Sequence, residues 1–404
     1  MPSSTSLQER AHVVIAGGGF GGVESLLALR ALAPEHVRVT LVSASPSLAY
    51  KPAATVESFD ETAPLAYDLQ AIATDVGASF RLDRVEAVAA DAHTARLASF
   101  AHLDYDALVL AVGARAVVSI PGALTFRDQQ QVQHIRRLVS ELPSGTIRRI
   151  IFAVPSGCTW PLPLYELALL TAARLAELDA TGEVMLVSPE ITPLRVFGAQ
   201  ASGLVAHLLA ERGVSFIGEA DPQRVDRSGA LVLASGKTLD ADRVVAAPEL
   251  RGPRITGLPA DRWGFVTTDA LGSVIGLPDV YAVGDMTCFP IKQGGLAAQQ
   301  ADAIAQHIAT AHGASVTTPR IHRVLRARLV GGANPVFLRT ELDEFGQATA
   351  SYLHGHFNDS ESDTRAEKVF GRYLAPYLQT RAPIRGRAPG GARRAPPAAR
   401  SPAR

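Results

Sequence analysis

A glycine cluster, Gly17-Gly18-Gly19-Phe20-Gly21-Gly22, is set between an apolar run and a helical one, and it constrains this sequence more than any other feature. Residues 11–16 (AHVVIA) read as a short buried strand, VESLLALRAL carries helical periodicity, and VRVTLVS reads as a second strand. Strand, tight turn, helix and strand make a βαβ unit. The G-x-G-x-x-G spacing gives each glycine a task. Gly17 permits the turn, Gly19 lets the backbone approach a pyrophosphate, and Gly22 lets the helix pack closely on the strand. Phe20 and Gly21 complete the turn, and the N–H groups at the helix start are free to face phosphates. The second strand departs from the pattern at its end: Ser43 stands where an acidic residue ordinarily holds the ribose hydroxyls.

A similar unit begins near residue 149: RIIFAV, a Gly/Pro-rich turn, the apolar helix PLYELALLTAARLAEL, then EVMLVS. A third glycine-marked strand, VYAVGD, leads into the helix GGLAAQQADAIAQHIATA. The predicted fold is α/β with two Rossmann-like dinucleotide-binding domains, the second inserted in the first. Residues 11–145 and 253–315 form the first and 146–252 the second. Residues 316–380 form a small C-terminal region, with a strand-like LVGGANPVFLRTEL and a helix around AEKVFGRYLAPYL. Residues 1–10 and the Arg/Pro/Ala stretch 381–404 lack periodicity and are expected to be disordered.

Lys+Arg and Asp+Glu both total 39, so no overall field points to nucleic acid. The last 24 residues hold seven Arg and no acid, which leaves 32 basic against 39 acidic residues in the body. Such a tail leaves room for peripheral contact with an anionic membrane at about 1 kcal/mol per residue near the surface. Two distant cysteines and a start without an apolar signal core read as a cytoplasmic chain, peripheral at most to the inner face of a membrane. His354 and His356 lack the further ligands of a metal set and read as surface residues, and Trp160 reads as packing.

Two more glycine motifs close the pattern. Ala111-Val112-Gly113-Ala114 ends one apolar strand, and Ala282-Val283-Gly284-Asp285 ends another just before a Gly-rich helix. An aspartate there suits the ribityl chain of a flavin, and the helix start suits its electron-rich edge. In this order and spacing, over residues 11–315, the three motifs resemble the pyridine nucleotide-disulfide oxidoreductase superfamily, in its branch of type II NADH dehydrogenases and sulfide:quinone oxidoreductases. The resemblance implies FAD on Gly17–Gly22, with Gly113, Gly284 and Asp285 also lining it and Lys292 as a cation near the carbonyl edge of the flavin. It also implies a small-molecule donor and acceptor, a quinone among the candidates, and leaves a homodimer open. Ala297, Gln299 and Gln300 resemble the quinone-site helix, although Gly295 replaces a glutamine of that family. Glu166 matches a glutamate close to the flavin–nicotinamide contact.

The donor is where this sequence departs from its resemblance. Pro155-Ser156-Gly157-Cys158-Thr159-Trp160-Pro161 stands where an NAD(P)H-binding turn reads G-x-G-x-x-G, and bulky and cyclic side chains oppose close approach to a pyrophosphate. Cys158 and Cys288 lie in the two segments from which sulfide:quinone oxidoreductases draw a redox pair. The alternative is that each is a small buried hydrophobe. Three readings follow: an FAD-dependent oxidoreductase with an NAD(P)H-type donor and a quinone-like acceptor, a sulfide:quinone oxidoreductase-like enzyme using Cys158 and Cys288, and a flavin-binding module without turnover.

Overall fold

The computed structural model describes residues 10–60, 64–127, 129–317, 322–331, 334–354 and 371–385. Strand β1 (Ala11–Ala16) has Val13 to Ala16 buried on both faces, which explains a continuous apolar run where a half-exposed strand would alternate. It leads into helix α1 (Phe20–Leu32) and then β2 (Val37–Ser43), parallel to β1 from Ala11↔Val37 to Ala16↔Val42. Strand β3 (Ser79–Leu82) joins β2, and β4 (Ala107–Leu110) joins the other side of β1.

The chain then leaves this sheet through Arg115–Val117, which pairs antiparallel with the returning segment Glu249–Arg251. Between these crossings lie β5 (Leu124–Thr125), α2 (Val132–Glu141), β6 (Arg149–Ala153), α3 (Leu162–Glu177), β7 (Glu183–Val187), β8 (Val214–Ile217) and β9 (Arg243–Ala246). They build a second parallel sheet in the order β5-β9-β6-β7-β8. The expected boundary at residue 145 is therefore too late. Strand β5 pairs with β9, and α2 buries Val132, Ile135 and Leu138 in the same core as α3. The three-residue spacing of that stripe carries the helix into the second unit, although no glycine motif announces it.

Strand β10 (Val280–Ala282) returns to the first sheet beside β4, giving the order β10-β4-β1-β2-β3, and α4 (Gly294–Ala311) follows and packs on α1. The strand-like stretch after residue 320 divides at Gly331, whose φ is +125°, into β11 (Arg323–Leu329) and β12 (Val336–Leu342). With β13 (Ala348–His354) they form an antiparallel sheet whose Leu325, Ala327, Leu329 and Leu338 enter the core around α3. Among the described residues no helix is long and apolar enough to cross a membrane.

The chain end folds back on the first unit. Helix α5 (Leu374–Gln379) packs near α1, where the fully buried Glu24 carboxylate accepts the N–H groups of Tyr373 at 2.9 Å and Leu374 at 2.7 Å. The expectation of disorder from residue 381 is corrected here. Ile384–Arg385 pairs with the strand Leu65–Asp68, which has an open edge to fill, and the Arg381 guanidinium lies 2.7 Å from Asp75. Residues 366–370 of the predicted helix around AEKVFGRYLAPYL, His356, residues 1–9 and residues 386–404 lie outside the described residues.

Burial pushes Glu24 up to about 7, Asp302 adds to the rise, and the accepted N–H groups oppose it. Because the folded state favours the protonated acid, this group stabilises the fold fully below its unfolded value of 4.5, and that contribution is lost as pH rises through about 7. The span corresponds to about 3 kcal/mol. Thermal denaturation from pH 5 to pH 8 is expected to show falling stability, with a flatter profile in Glu24→Gln.

Candidate active site

At the end of β1 the backbone turns within Gly17–Gly19 before α1 begins. Gly17 sits at φ +119°, and a Cβ there would lie 2.3 Å from the Ala111 carbonyl oxygen. At Gly22 a Cβ would lie 1.8 Å from the Gly17 oxygen, and at Gly18 2.3 Å from Leu69. Around Gly19, the N-cap of α1, there is open space. The turn is closed on the protein side and open on the other, so an anionic group can meet the helix N–H groups there without displacing any side chain.

That open side is one end of a cavity of about 1090 Å³. Its wall includes Gly17, Gly19, Phe20, Gly21, Ser43, Gly113, Gly284, Asp285 and Lys292, and it runs on to Cys158, Trp160 and Glu166 of the second unit. Gly22 lies behind the wall, buried in the first turn of α1. Ser43 is buried at the end of β2, its hydroxyl accepting the Ser45 N–H at 3.2 Å. The Phe20 ring packs edge-on against Tyr50, with centroids 5.8 Å apart.

Asp285 follows β10 and is half-buried in this wall. Burial pushes its carboxyl above the usual range, while Lys292 and Lys51 pull it down. Lys292 is 6% exposed, its ammonium donates to the Thr287 carbonyl, and it stands 4.1 Å from the centre of the Phe265 ring. Burial brings its pKa down to about 8 against the counter-pull of Asp285. Burial thus moves the two groups in opposite directions, the carboxyl up and the ammonium down, and each charge opposes the shift of the other. On α3, Glu166 is 2% exposed, accepts the Thr55 hydroxyl at 2.7 Å, and accepts the Val330 N–H at 3.3 Å.

Cys158 is part of the cavity wall, whereas Cys288 is exposed and lies beside that wall, close enough for its charge to act on Lys292. Burial pushes the Cys158 thiol up to about 12, which keeps it protonated at neutral pH. Gln299 exchanges hydrogen bonds with the Val324 backbone at 2.8 and 2.9 Å, and Gln300 accepts the Gly284 N–H at 2.7 Å; neither side chain lines the cavity. They pin β11 and the Gly284 turn to α4.

The residues 11–315 match the family described as pyridine nucleotide-disulphide oxidoreductase. The chain belongs to that family. It is an FAD-dependent oxidoreductase by class. A sulfide-quinone reductase of Aquifex aeolicus is 24% identical over 265 residues, covering 62% of this chain and 61% of that protein. The ferredoxin reductase component of a chlorobenzene dioxygenase from a Cupriavidus strain is 28% identical over 82% of this chain and 84% of its own. Among solved structures, the sulfide:quinone oxidoreductase of Aquifex aeolicus superposes with a TM-score of 0.76 at 20% identity, covering 85% of this chain and 86% of that one, a likeness of fold.

Sequence reasoning missed Lys51, Arg326 and Arg328, which all line the cavity, and it took Trp160 as packing only. Trp160 does pack, edge-on to Phe197 at 6.1 Å, and it also reaches the wall. The signal for the arginines is their two-residue spacing in a strand, which puts both on one face.

Replacing Gly22 by Val is expected to cost about 1–3 kcal/mol or more through overpacking against the Gly17 carbonyl. The purified protein should lose its flavin absorbance relative to its protein absorbance, whereas Gly203→Ala, where a Cβ meets nothing on the exposed side of a helix, should keep both.

Proposed function

We propose that this chain is an FAD-dependent oxidoreductase in which a small donor other than a tightly held NAD(P)H reduces the flavin, and a quinone-like acceptor takes the electrons on. Gly17, Gly19, Phe20, Gly21, Ser43, Gly113, Gly284, Asp285 and Lys292 would hold the FAD, and Gly22 would set its turn. FAD supplies a two-electron carrier there. The family and the cavity wall support this assignment.

One observation carries the view of the donor: the second unit offers no pyrophosphate cradle. Its β6-to-α3 connection is residues 154–161, against residues 17–19 in the first unit. Pro161 and Pro163 have no N–H, and the Leu164 N–H is taken by the Pro161 carbonyl at 3.0 Å. Of the first three helical positions of α3, Pro163 and Leu164 therefore offer no free donor to a phosphate, which leaves Leu162.

Sulfide is the second reading, favoured by the place of Cys158 in the wall and by the fold of the Aquifex protein. A relay through two cysteines needs both thiols at the flavin; Cys158 lines the cavity, and Cys288 is exposed beside Lys292 of its wall.

Anaerobic stopped-flow of the holoenzyme distinguishes these routes. NADH and NADPH up to about 1 mM, the upper end of ordinary KM values, are expected to give no saturable rapid bleaching of the flavin. Rapid bleaching by either would overturn the proposal. Bleaching by sulfide that disappears in Cys158→Ser and in Cys288→Ser would establish the relay; the expected result is that Cys288→Ser behaves as the parent. Reduced enzyme that no quinone reoxidises would remove the acceptor half of the reading.

A further inference from the structure

Residues 371–385 cross the outside of the first unit and are pinned there along their whole length. The start is moulded on one carboxylate. A Cβ at Gly371 would lie 2.6 Å from Glu24 Oε2, and the Glu24 oxygens accept the Tyr373 and Leu374 N–H groups, so α5 begins on a group that belongs to α1. In the middle, Leu374 and Leu378 are buried in the core of the first unit. Toward the end Tyr377 donates to Asp75, Arg381 meets the same carboxylate at 2.7 Å, and Ile384–Arg385 adds a strand to Leu65–Asp68.

Each element held in this way belongs to the cofactor wall or braces it from behind. Helix α1 opens on the glycine turn, with Phe20 and Gly21 in the wall. The helix Leu69–Asp75 begins with the side chain that closes over Gly18, where a Cβ would lie 2.3 Å from it. Leu65–Asp68 pairs on its other edge with Ser47–Ala49, and all three of those residues line the cavity. Helix α4, whose Asp302 lies 3.9 Å from the Arg372 guanidinium, places Gly294 and Ala297 in the wall. None of residues 371–384 lines the cavity, so the segment grips the pocket from its back and leaves its interior free.

The contact at the start of the segment carries charge of one sign. Glu24 faces Asp302 from α4 and Arg372 and Tyr373 from the segment, and Asp302 Oδ1 is buried without a hydrogen-bond partner among the described residues. Asp75, Tyr377 and Arg381 are the ionisable groups at the far end. Seating the segment therefore buries the Glu24 carboxyl beside a second acid, while the exposed Arg372 is the one guanidinium set against them. Loss of the Glu24 proton works against seating.

We propose that residues 371–385 are a pH-sensitive clasp on the back of the cofactor pocket, which holds the wall closed on FAD when seated and lets FAD leave when it lifts. This goes beyond the proposed function and rests on it only for the identity of the cofactor. With Glu24 at about 7 when covered and near its ordinary 4.5 when the segment lifts, seating is fully supported below the lower value and weakens as pH rises through the upper one.

The test follows the holoprotein at pH 6 and pH 8 by two readouts. Hydrogen–deuterium exchange of the peptide containing residues 371–381, corrected for the intrinsic pH dependence of exchange, reports seating, and recovery of free-flavin fluorescence on dilution reports FAD release. Between these pH values the opening equilibrium of the segment is expected to rise about tenfold and FAD release to quicken in step, while β1 stays far better protected at both. Glu24→Gln should flatten both responses. Arg381→Gln, which weakens the far end alone, should raise both readouts at each pH and keep their slope. Segment and β1 exchanging together overturns the clasp, because the opening would then be global. Exchange independent of pH overturns it as well, and so does an opening that leaves FAD release unchanged. Protein that carries no flavin removes the cofactor reading; exchange that still follows pH and Glu24 then keeps the clasp, and exchange that does not removes it too.

Discussion

The approach of α1 to the end of β1 sets the terms for the rest of the molecule. Gly22 packs where any side chain would strike the Gly17 carbonyl, and Gly17 turns where one would strike Ala111. Because these contacts run backbone to backbone, the helix start reaches the cavity with its N–H groups bare, and the sheet order β10-β4-β1-β2-β3 brings Gly113 and Asp285 to the same end. An extended anionic cofactor suits such a rim, which offers close backbone approach at one end and the Asp285 and Lys292 side chains at the other.

The second unit repeats the sheet but not the rim. Both units have parallel strands and a helix after the first strand, yet one turn is built from glycine and the other from proline and tryptophan. The second unit keeps the packing of the fold while replacing the glycines that allow close approach to a phosphate. What remains at that end is a wall containing Cys158, Trp160 and the tied carboxylate of Glu166, suited to bounding a substrate more than to anchoring a nucleotide.

Much of this was legible in the sequence because glycine positions report backbone geometry directly. The βαβ unit at residues 11–43, the return of residues 280–285 to the first sheet and the departure at 155–161 all follow from residue types whose conformational limits are known. The limit of residue 145 failed because α2 carries no glycine or proline signal, only an apolar stripe that does not say which core it enters. The cysteines stay open for a related reason: segment order can bring two loops near one cofactor, but which side chains turn inward is decided by local packing. The short strand at Ile384–Arg385 was hidden by composition, since an open edge elsewhere in the fold supplies the pairing that its own sequence does not advertise.

Arg115–Val117 and Glu249–Arg251 lie side by side in antiparallel register, Val117 facing Glu249. Everything between them leaves and re-enters the first unit at a single seam, so the inserted sheet is topologically a cassette whose two ends already meet. A lineage built on this plan can exchange what lies beyond the seam, and with it the molecules it reacts with, while the cofactor-holding unit keeps its own strand order and turns untouched.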